Sequence, residues 1–192
     1  MKKIGLTGGI GVGKTFVSEI FQKMGYSVFF ADLHAKKCMH ESDDLKTEIK
    51  QNFGNEIYQK GVLQKNRLAD IVFNDTKKLQ ELNNLVHPFV QKYFEAWCKN
   101  QQSKFVIKEA AILFESEAHK GLDGVICVSA PFQKRIERVM KRDNCTKEDV
   151  IKRIENQMLQ EKKEKLSDFV ILNNDKKELL PQIISICKKL ID

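Results

Sequence analysis

A glycine-rich segment near the amino terminus carries the clearest chemical signal in the sequence. Residues 5–15, GLTGGIGVGKT, hold five of the ten glycines of the chain. Gly8, Gly13, Lys14 and Thr15 fit the spacing G-x-x-x-x-G-K-[ST], known as a P-loop. Glycines at these positions let successive backbone N–H groups turn toward one anion, and a helix that begins at the loop adds the positive end of its dipole. The segment therefore predicts a loop that binds the phosphates of a nucleoside triphosphate.

The side chains of this loop predict how ATP and Mg²⁺ are bound. Lys14 is expected to bridge the β- and γ-phosphates, and the hydroxyl of Thr15 is expected to bind Mg²⁺. ATP is then a co-substrate and Mg²⁺ the cofactor. The residues predicted to bind the nucleotide are Gly11, Val12, Gly13, Lys14, Thr15 and Phe16.

Three classes of P-loop protein compete at this point: a small-molecule kinase, a switch GTPase, and a motor or transport ATPase. A GTPase needs N-K-x-D after a strand, and LNNDKK at 172–177 is only a superficial match that comes out of order. A transport ATPase needs a glycine-containing signature helix, yet only five glycines follow the loop. A kinase needs an acceptor pocket and a means to exclude water. The sequence favours a kinase, with a nucleoside or nucleotide kinase and a slow nucleotide-dependent switch or binding module as alternatives.

Five apolar segments are predicted to form the strands that position the loop. They alternate with segments of helical periodicity, which indicates parallel pairing through right-handed crossovers and hence a three-layer α/β fold with a five-stranded parallel sheet. The second strand is expected to lie beside the P-loop strand, with its carboxyl end at the ligand-binding edge. The five segments are KKIGLTG, YSVFFAD, KFVIKEAAIL, DGVICVSA and DFVILNN.

Two stretches are too long to be simple crossovers and predict separate lobes. Residues 33–102 are predicted to form an inserted helical acceptor-binding lobe, in which a long helix begins at His87-Pro88 because proline suits the first helical position. Residues 144–165 are predicted to form a helical lid, as part of a two-helix excursion. The nucleotide-binding core then comprises residues 1–32, 103–143 and 166–192.

The composition argues against several other classes of protein. The formal net charge is +7, but lysines and acidic residues are interspersed in KEDVIKRIENQMLQEKKEK, which predicts a charged surface helix rather than nucleic-acid binding. Neither a membrane-spanning run nor a signal peptide is visible. The five cysteines are odd in number and lack CxxC spacing, so we expect reduced thiols in a cytoplasmic protein.

Several short segments spread over nearly the whole chain form one ordered set. They are GLTGGIGVGKT, FADLHAKK, GVLQKNRLADIVF, LVHPFV, AAILFES, RVMKRDN, Gln157 and SDFVILNN. Their order and spacing resemble those of the dephospho-coenzyme A kinase family. Its members transfer the γ-phosphate of ATP to the ribose 3′-hydroxyl of dephospho-CoA, the last step of coenzyme A biosynthesis. They are similar to nucleoside monophosphate kinases, with a core, a substrate lobe and a lid. The resemblance implies the same reaction here.

Three positions depart from the pattern of this family. The family usually has Asp-Ala-Asp after the second strand, where this chain has Phe30-Ala31-Asp32. The third strand normally ends in Asp-x-Pro-Leu-Leu, where this chain has EAAIL from Glu109 onward. Val12 stands where serine is common. These departures bear on how the metal is held and leave in place the groups expected to carry the reaction.

Two carboxylates at strand ends are candidates for the chemistry. Asp32 is expected to accept the proton of the ribose 3′-hydroxyl or to orient that hydroxyl, and the alternative is an N-cap for the helix that follows. Glu109 is expected to bind Mg²⁺ through its waters, and the alternative is a solvated strand end.

Basic side chains are the remaining candidates. Arg135, Arg138 and Arg142 can share one helical face, and guanidinium groups suit the charge of a transferring phosphoryl group. The resemblance favours Arg138 and Arg142 as catalytic phosphate or adenine contacts, and the alternative is a solvated basic face. His87 and Lys65 are expected to bind the acceptor, against a core histidine and a solvated helix face as their alternatives.

Overall fold

The computed structural model describes residues 1–73 and 75–191 of the 192-residue chain. Its strands are β1 (Lys2–Thr7), β2 (Ser27–Phe30), β3 (Tyr58–Gln59), β4 (Val62–Leu63), β5 (Phe105–Glu109), β6 (Gly124–Ser129) and β7 (Phe169–Leu172). Within the described residues, five of them form a parallel sheet in the order β2-β5-β1-β6-β7, which confirms the predicted fold class. The other two pair as an antiparallel hairpin that the sequence did not predict.

Helices connect the strands of the sheet and fill the long insertion. They are α1 (Lys14–Lys23), α2 (Ala31–Glu41), α3 (Asp43–Phe53), α4 (Lys65–Phe73), α5 (Thr76–Cys98), α6 (Phe132–Asp143), α7 (Lys147–Glu155), α8 (Gln160–Leu166) and α9 (Leu179–Ile191). No helix in the described part of the chain is both long enough and apolar enough to cross a membrane.

The position of β2 in the sheet differs from the prediction. The sequence suggested that β2 lies beside β1, but β5 lies between them and pairs with both. All five residues of β5 are buried. Water cannot reach the backbone N–H and C=O groups of such a strand, so it needs a hydrogen-bonded strand along each of its two edges. β2 has two half-buried ends and takes the edge of the sheet.

The chain divides into two compact units, Met1–Phe30 with Gln101–Asp192, and Ala31–Asn100. The first unit contains the parallel sheet, and its apolar core includes Leu6, Phe21 and Ile126, which are fully buried. In the second unit, α2, α3 and α4 each pack against α5. Each unit therefore has its own buried apolar interior.

The helix expected to begin at Pro88 is instead the second half of α5, so this prediction was wrong. Buried Val86, Val90 and Phe94 repeat at a spacing of four residues on both sides of the proline, and this continuous apolar stripe favours one helix. Proline cannot donate to the carbonyl of Asn84. Pro88 and Asn84 are both exposed, so the missing backbone hydrogen bond lies on the solvent side of the helix, where water can bind the free carbonyl.

The segment that follows β6 forms three helices rather than the two predicted. The last of them, α8, has an exposed charged face, as predicted, but it also has a buried face. Lys163 of α8 is completely buried and Gln160 is 7% exposed. The ammonium of Lys163 lies 2.7 Å from the carboxylate of Glu115 and donates to the carbonyl of Ala111 at 2.7 Å. The interspersed charges concealed this burial, because a buried lysine with a carboxylate partner has the same local sequence as an exposed one.

Removing the carboxylate partner of this lysine is expected to destabilise the protein. Glu115→Ala leaves the buried ammonium of Lys163 with a single carbonyl, so we expect a loss of about 2 kcal/mol or more in the free energy of unfolding. Urea denaturation measures it. The matched control is Glu117→Ala, because Glu117 pairs with Lys120 at 2.7 Å and both side chains are more than 60% exposed. We expect that change to cost under about 0.5 kcal/mol; equal losses for both variants would contradict the interpretation.

Candidate active site

The loop between β1 and α1 has a backbone that depends on glycine. Gly8 and Gly13 have φ angles of 145° and 91°, a region that residues with side chains rarely adopt. Gly13 is the N-cap of α1, and its carbonyl accepts from the N–H of Val17 at 3.2 Å. The N–H groups of the first turn have no acceptor within the helix and lie at the positive end of its dipole. This is the geometry of an anion-binding loop.

Neighbouring side chains approach the loop closely. A Cβ atom added at Gly9 would collide with the guanidinium of Arg135, and one added at Gly13 would collide with the side-chain amide of Asn173. The amide nitrogen of Asn173 also donates to the carbonyl of Val12 at 2.8 Å. Two of the loop glycines therefore make room for polar groups that hold the loop from outside.

The side chain of Lys14 bends back along the loop. Its Nζ atom donates to the carbonyl oxygen of Gly8 at 2.9 Å, and the residue is half-buried. Thr15 and Phe16, in the first turn of α1, are exposed. The residues predicted to bind ATP thus form one continuous stretch of loop and helix, and their contacts with the nucleotide stay predictions.

Two of the predicted arginines lie against this loop. Arg135 is 5% exposed, its Nε donates to the carbonyl of Ile10 at 3.0 Å, and burial lowers the pKa of its guanidinium. Arg138 donates to the backbone carbonyl of Asn173 at 3.2 Å and lies 2.6 Å from the carboxylate of Asp175. Its contacts with the loop carbonyls are long, at 3.5 Å. The structure thus brings α6 and the end of β7 to the loop.

Arg142, the third arginine of the predicted face, pairs with a carboxylate of its own helix. It forms a bidentate pair with Asp143 at 2.7 and 3.0 Å, and Arg153 of α7 binds the same carboxylate at 2.8 Å. Hydrogen bonds from Arg142, together with Arg153, lower the pKa of Asp143 to about 2. The side chain of Arg142 is 63% exposed. A phosphate contact by Arg142 stays a prediction and requires it to leave Asp143.

The two predicted metal ligands supply oxygen atoms of the kind that Mg²⁺ prefers. Glu109 ends β5, is 7% exposed, and stands in register with Leu6 of β1 and Phe30 of β2. Thr15 offers a hydroxyl at the start of α1. Among the described residues, no group of three or more His, Cys, Asp or Glu side chains could hold a metal. Mg²⁺ is commonly held by one or two protein oxygens together with substrate phosphates, and Thr15 and Glu109 fit that donor set.

The residues expected to bind the acceptor lie on three helices of the second unit. Asp32 is the second residue of α2 rather than its cap, and it is exposed. His87 is half-buried in α5, and Lys65 is exposed at the start of α4. Lys65 and Arg67 line an open cavity of about 480 Å³ beside the hairpin. Binding of substrate by these side chains stays a prediction.

Sequence reasoning gave no role to the amide side chains that contact the loop. Gln160 and Gln157 accept hydrogen bonds from the backbone N–H groups of Gly9 and Ile10 at 2.9 and 2.8 Å, and Asn173 holds Val12. Gln157 and Asn173 lie inside the motifs that carried the family resemblance. Gln160 lies in a charged helix and had no signal, because a glutamine that turns inward is indistinguishable in sequence from one that faces water.

Comparison with known proteins shows which family this chain matches. The sequence profile of the family described as dephospho-CoA kinase matches residues 2–178. The chain belongs to the dephospho-CoA kinase family. A dephospho-CoA kinase from Bacteroides fragilis strain YCH46 is 36% identical over 185 residues, which cover 96% of this chain and 90% of that protein. The predicted resemblance to dephospho-CoA kinases is therefore confirmed.

Two solved structures share the fold over nearly the whole chain. The crystal structure of TT1252 from Thermus thermophilus has a TM-score of 0.88 and 30% identity, and the match covers 100% of this chain and 98% of that one. A dephospho-CoA kinase from Campylobacter jejuni has a TM-score of 0.69 and 25% identity, with 99% and 98% of the two chains covered. Both likenesses extend over the sheet, the P-loop and the inserted helices of this dephospho-CoA kinase family member.

Proposed function

We propose that this protein transfers the γ-phosphoryl group of ATP to the ribose 3′-hydroxyl of dephospho-CoA, giving coenzyme A and ADP. The single observation that carries the proposal is the family match over residues 2–178, which includes the P-loop and the whole inserted lobe. A P-loop alone identifies a phosphate site, and the family identifies the acceptor. The proposed location is the cytoplasm, where thiols stay reduced, and all five cysteines of the chain carry thiols rather than disulfides.

The loop performs binding and charge neutralisation rather than covalent chemistry. Backbone N–H groups at the start of α1 would bind the phosphates, and the ammonium of Lys14 would move from the carbonyl of Gly8 to bridge the β- and γ-phosphates. When bound with ATP, Mg²⁺ would neutralise phosphate charge, held by Thr15 and Glu109. Arg138 and Arg142 would stabilise the transferring group or contact the adenine, as guanidinium groups suit both tasks.

Asp32 is proposed as the group that receives the acceptor proton. The bond between the ribose 3′-oxygen and Pγ forms, the bond between Pγ and the β–γ bridging oxygen breaks, and the proton of the hydroxyl passes to the carboxylate. His87 and Lys65 are proposed to bind the rest of the acceptor, for which a histidine and a cation supply hydrogen bonds and positive charge. In this scheme the protein mainly holds the acceptor hydroxyl in line with the phosphoryl group.

The proposed function predicts a strict dependence on one acceptor. ADP release is measured with ATP and dephospho-CoA, adenosine, a nucleoside monophosphate, or no acceptor, and the product is checked by mass spectrometry for one added phosphoryl group. We expect ADP release to rise at least 100-fold over the acceptor-free rate with dephospho-CoA alone, since positioning of the acceptor supplies much of the rate. Stimulation by adenosine or a nucleotide instead would indicate a nucleoside or nucleotide kinase. Slow ADP release at the same rate with every acceptor and with none would indicate a nucleotide-dependent switch.

A further inference from the structure

Ile10 is the residue at which the P-loop is joined to the helices after β6. Its N–H donates to the side chain of Gln157 at 2.8 Å, and its carbonyl accepts from Arg135 at 3.0 Å. Its side chain packs on the apolar cluster that includes Val139 of α6 and Val150 of α7. Helices α6 and α7, with the turn that follows α7, therefore hold Ile10 in three ways: through its backbone N–H, through its backbone carbonyl and through its side chain.

Gln160 holds the preceding loop residue in a fixed orientation. Its amide oxygen accepts from the N–H of Gly9 at 2.9 Å, while its amide nitrogen donates to the carbonyl of Val128 at 3.1 Å and to the carboxylate of Glu164 at 3.0 Å. A reversed amide would lose all three bonds, because an N–H only donates and the two oxygens only accept. Burial raises the pKa of neighbouring Cys127 to about 11, so its thiol adds no charge beside this amide.

The segment around both glutamines is also bonded to a residue outside the P-loop. The N–H of Met158, between α7 and α8, donates to the carboxylate of Glu115 at 2.9 Å. The same carboxylate pairs with the buried Lys163. Gln157 and Gln160 therefore extend from a segment that is anchored to Glu115 through the N–H of Met158.

We propose that Gln157 and Gln160 are positioning residues for phosphoryl transfer. They fix the conformation of the P-loop backbone through hydrogen bonds to its N–H groups and do not touch substrate. Their amides are neutral, so they fix Gly9 and Ile10 without placing a charge beside the predicted phosphate site. The N–H groups that follow in the loop are oriented by this fixed segment. The effect of the two glutamines on turnover rests on the proposed function. Their effect on ATP binding does not, because the orientation of the loop N–H groups determines how well ATP binds whatever the acceptor is.

The test replaces each glutamine by methionine, which keeps the length of the side chain and removes its polar atoms. We expect each single variant to raise the KM for ATP about 2- to 10-fold, because one loop N–H loses its hydrogen bond. In the double variant the two increases in KM should multiply. The KM for dephospho-CoA stays within twofold of the wild type. Amide exchange at Gly9 and Ile10, measured by NMR, becomes faster in the variant that frees each one. A merely structural role would reduce the folded fraction and leave KM unchanged.

A third glutamine offers a matched control. Gln182 of α9 accepts from the N–H of Leu172 at 2.9 Å and donates to its carbonyl at 3.1 Å, which is the same chemistry at the end of β7. Gln182→Met is expected to lower the melting temperature and keep the KM for ATP. If the double variant is unstable, Gln157→Met alone decides, since within the described residues the hydrogen bond that this side chain makes is the one with Ile10.

Calorimetric titration with ATP in the absence of acceptor separates this proposal from the proposed function. If the wild type binds ATP but does not phosphorylate dephospho-CoA, the acceptor assignment fails, while weaker ATP binding in the glutamine variants still supports the positioning role. If both methionine variants bind ATP as tightly as the wild type and exchange the Gly9 and Ile10 amides at the same rate, the positioning role is overturned.

Discussion

Replacement of Lys14 by methionine is expected to lower kcat/KM for ATP about 100- to 1,000-fold, the usual loss when one preorganised donor to a developing charge is removed. The ammonium of Lys14 lies 2.9 Å from the carbonyl of Gly8, which places a positive charge on the P-loop itself. Methionine keeps the length of the side chain and removes that charge. A coupled assay of ADP production with dephospho-CoA as acceptor measures the loss.

A second lysine of the same helix controls for the change in net charge. Lys23 lies in the last turn of α1 and is exposed, so Lys23→Met removes one positive charge at the opposite end of the helix. We expect this variant to retain its kcat/KM for ATP within about twofold, since the charge of an exposed group beyond a Debye length is largely screened. Both variants should unfold within a few degrees of the wild type. A Lys14→Met enzyme that turns over as fast as Lys23→Met would show that the P-loop lysine does not act on the phosphates.

The P-loop and the sheet could be predicted from sequence because their signals are local. Gly13 and Lys14 stand at a fixed spacing whose backbone geometry few other residues allow, and the apolar strands alternate with helices in the pattern of a parallel sheet. The order of the strands required more than local pattern. β5 lies between β1 and β2 because it is buried along its whole length, a property that depends on partners far away in sequence.

The contacts that hold the loop could not be predicted, because they depend on which way a side chain turns. Gln160 and Lys163 stand among charged residues of α8, yet both are buried, and the partners that make burial possible are Gly9 and Glu115. These pairs are more than 40 residues apart in the chain. The same limit explains Pro88, since the local rule for proline places it at a helix start, whereas the apolar stripe of α5 continues through it.

Asp32→Asn is expected to lower kcat about 100- to 10,000-fold with dephospho-CoA while the KM for ATP changes less than threefold, because an amide cannot receive the proton of the acceptor hydroxyl. Asp32 follows β2 by two residues and is exposed in the first turn of α2, which leaves its carboxylate accessible to a ligand. Steady-state kinetics with each substrate varied in turn separates the two effects. The hydrogen-bonding shape of the side chain is retained, so the loss reports on charge and proton transfer.

The neighbouring helix provides the control for a purely structural role of this carboxylate. Asp44 is the second residue of α3 and exposed, as Asp32 is in α2, so Asp44→Asn removes the same favourable charge from the positive end of a helix in the same unit. Both substitutions should reduce the free energy of unfolding by a similar small amount, up to about 1 kcal/mol. Only Asp32→Asn should lose turnover. If the two variants have the same kcat, Asp32 supports its helix and another group receives the proton.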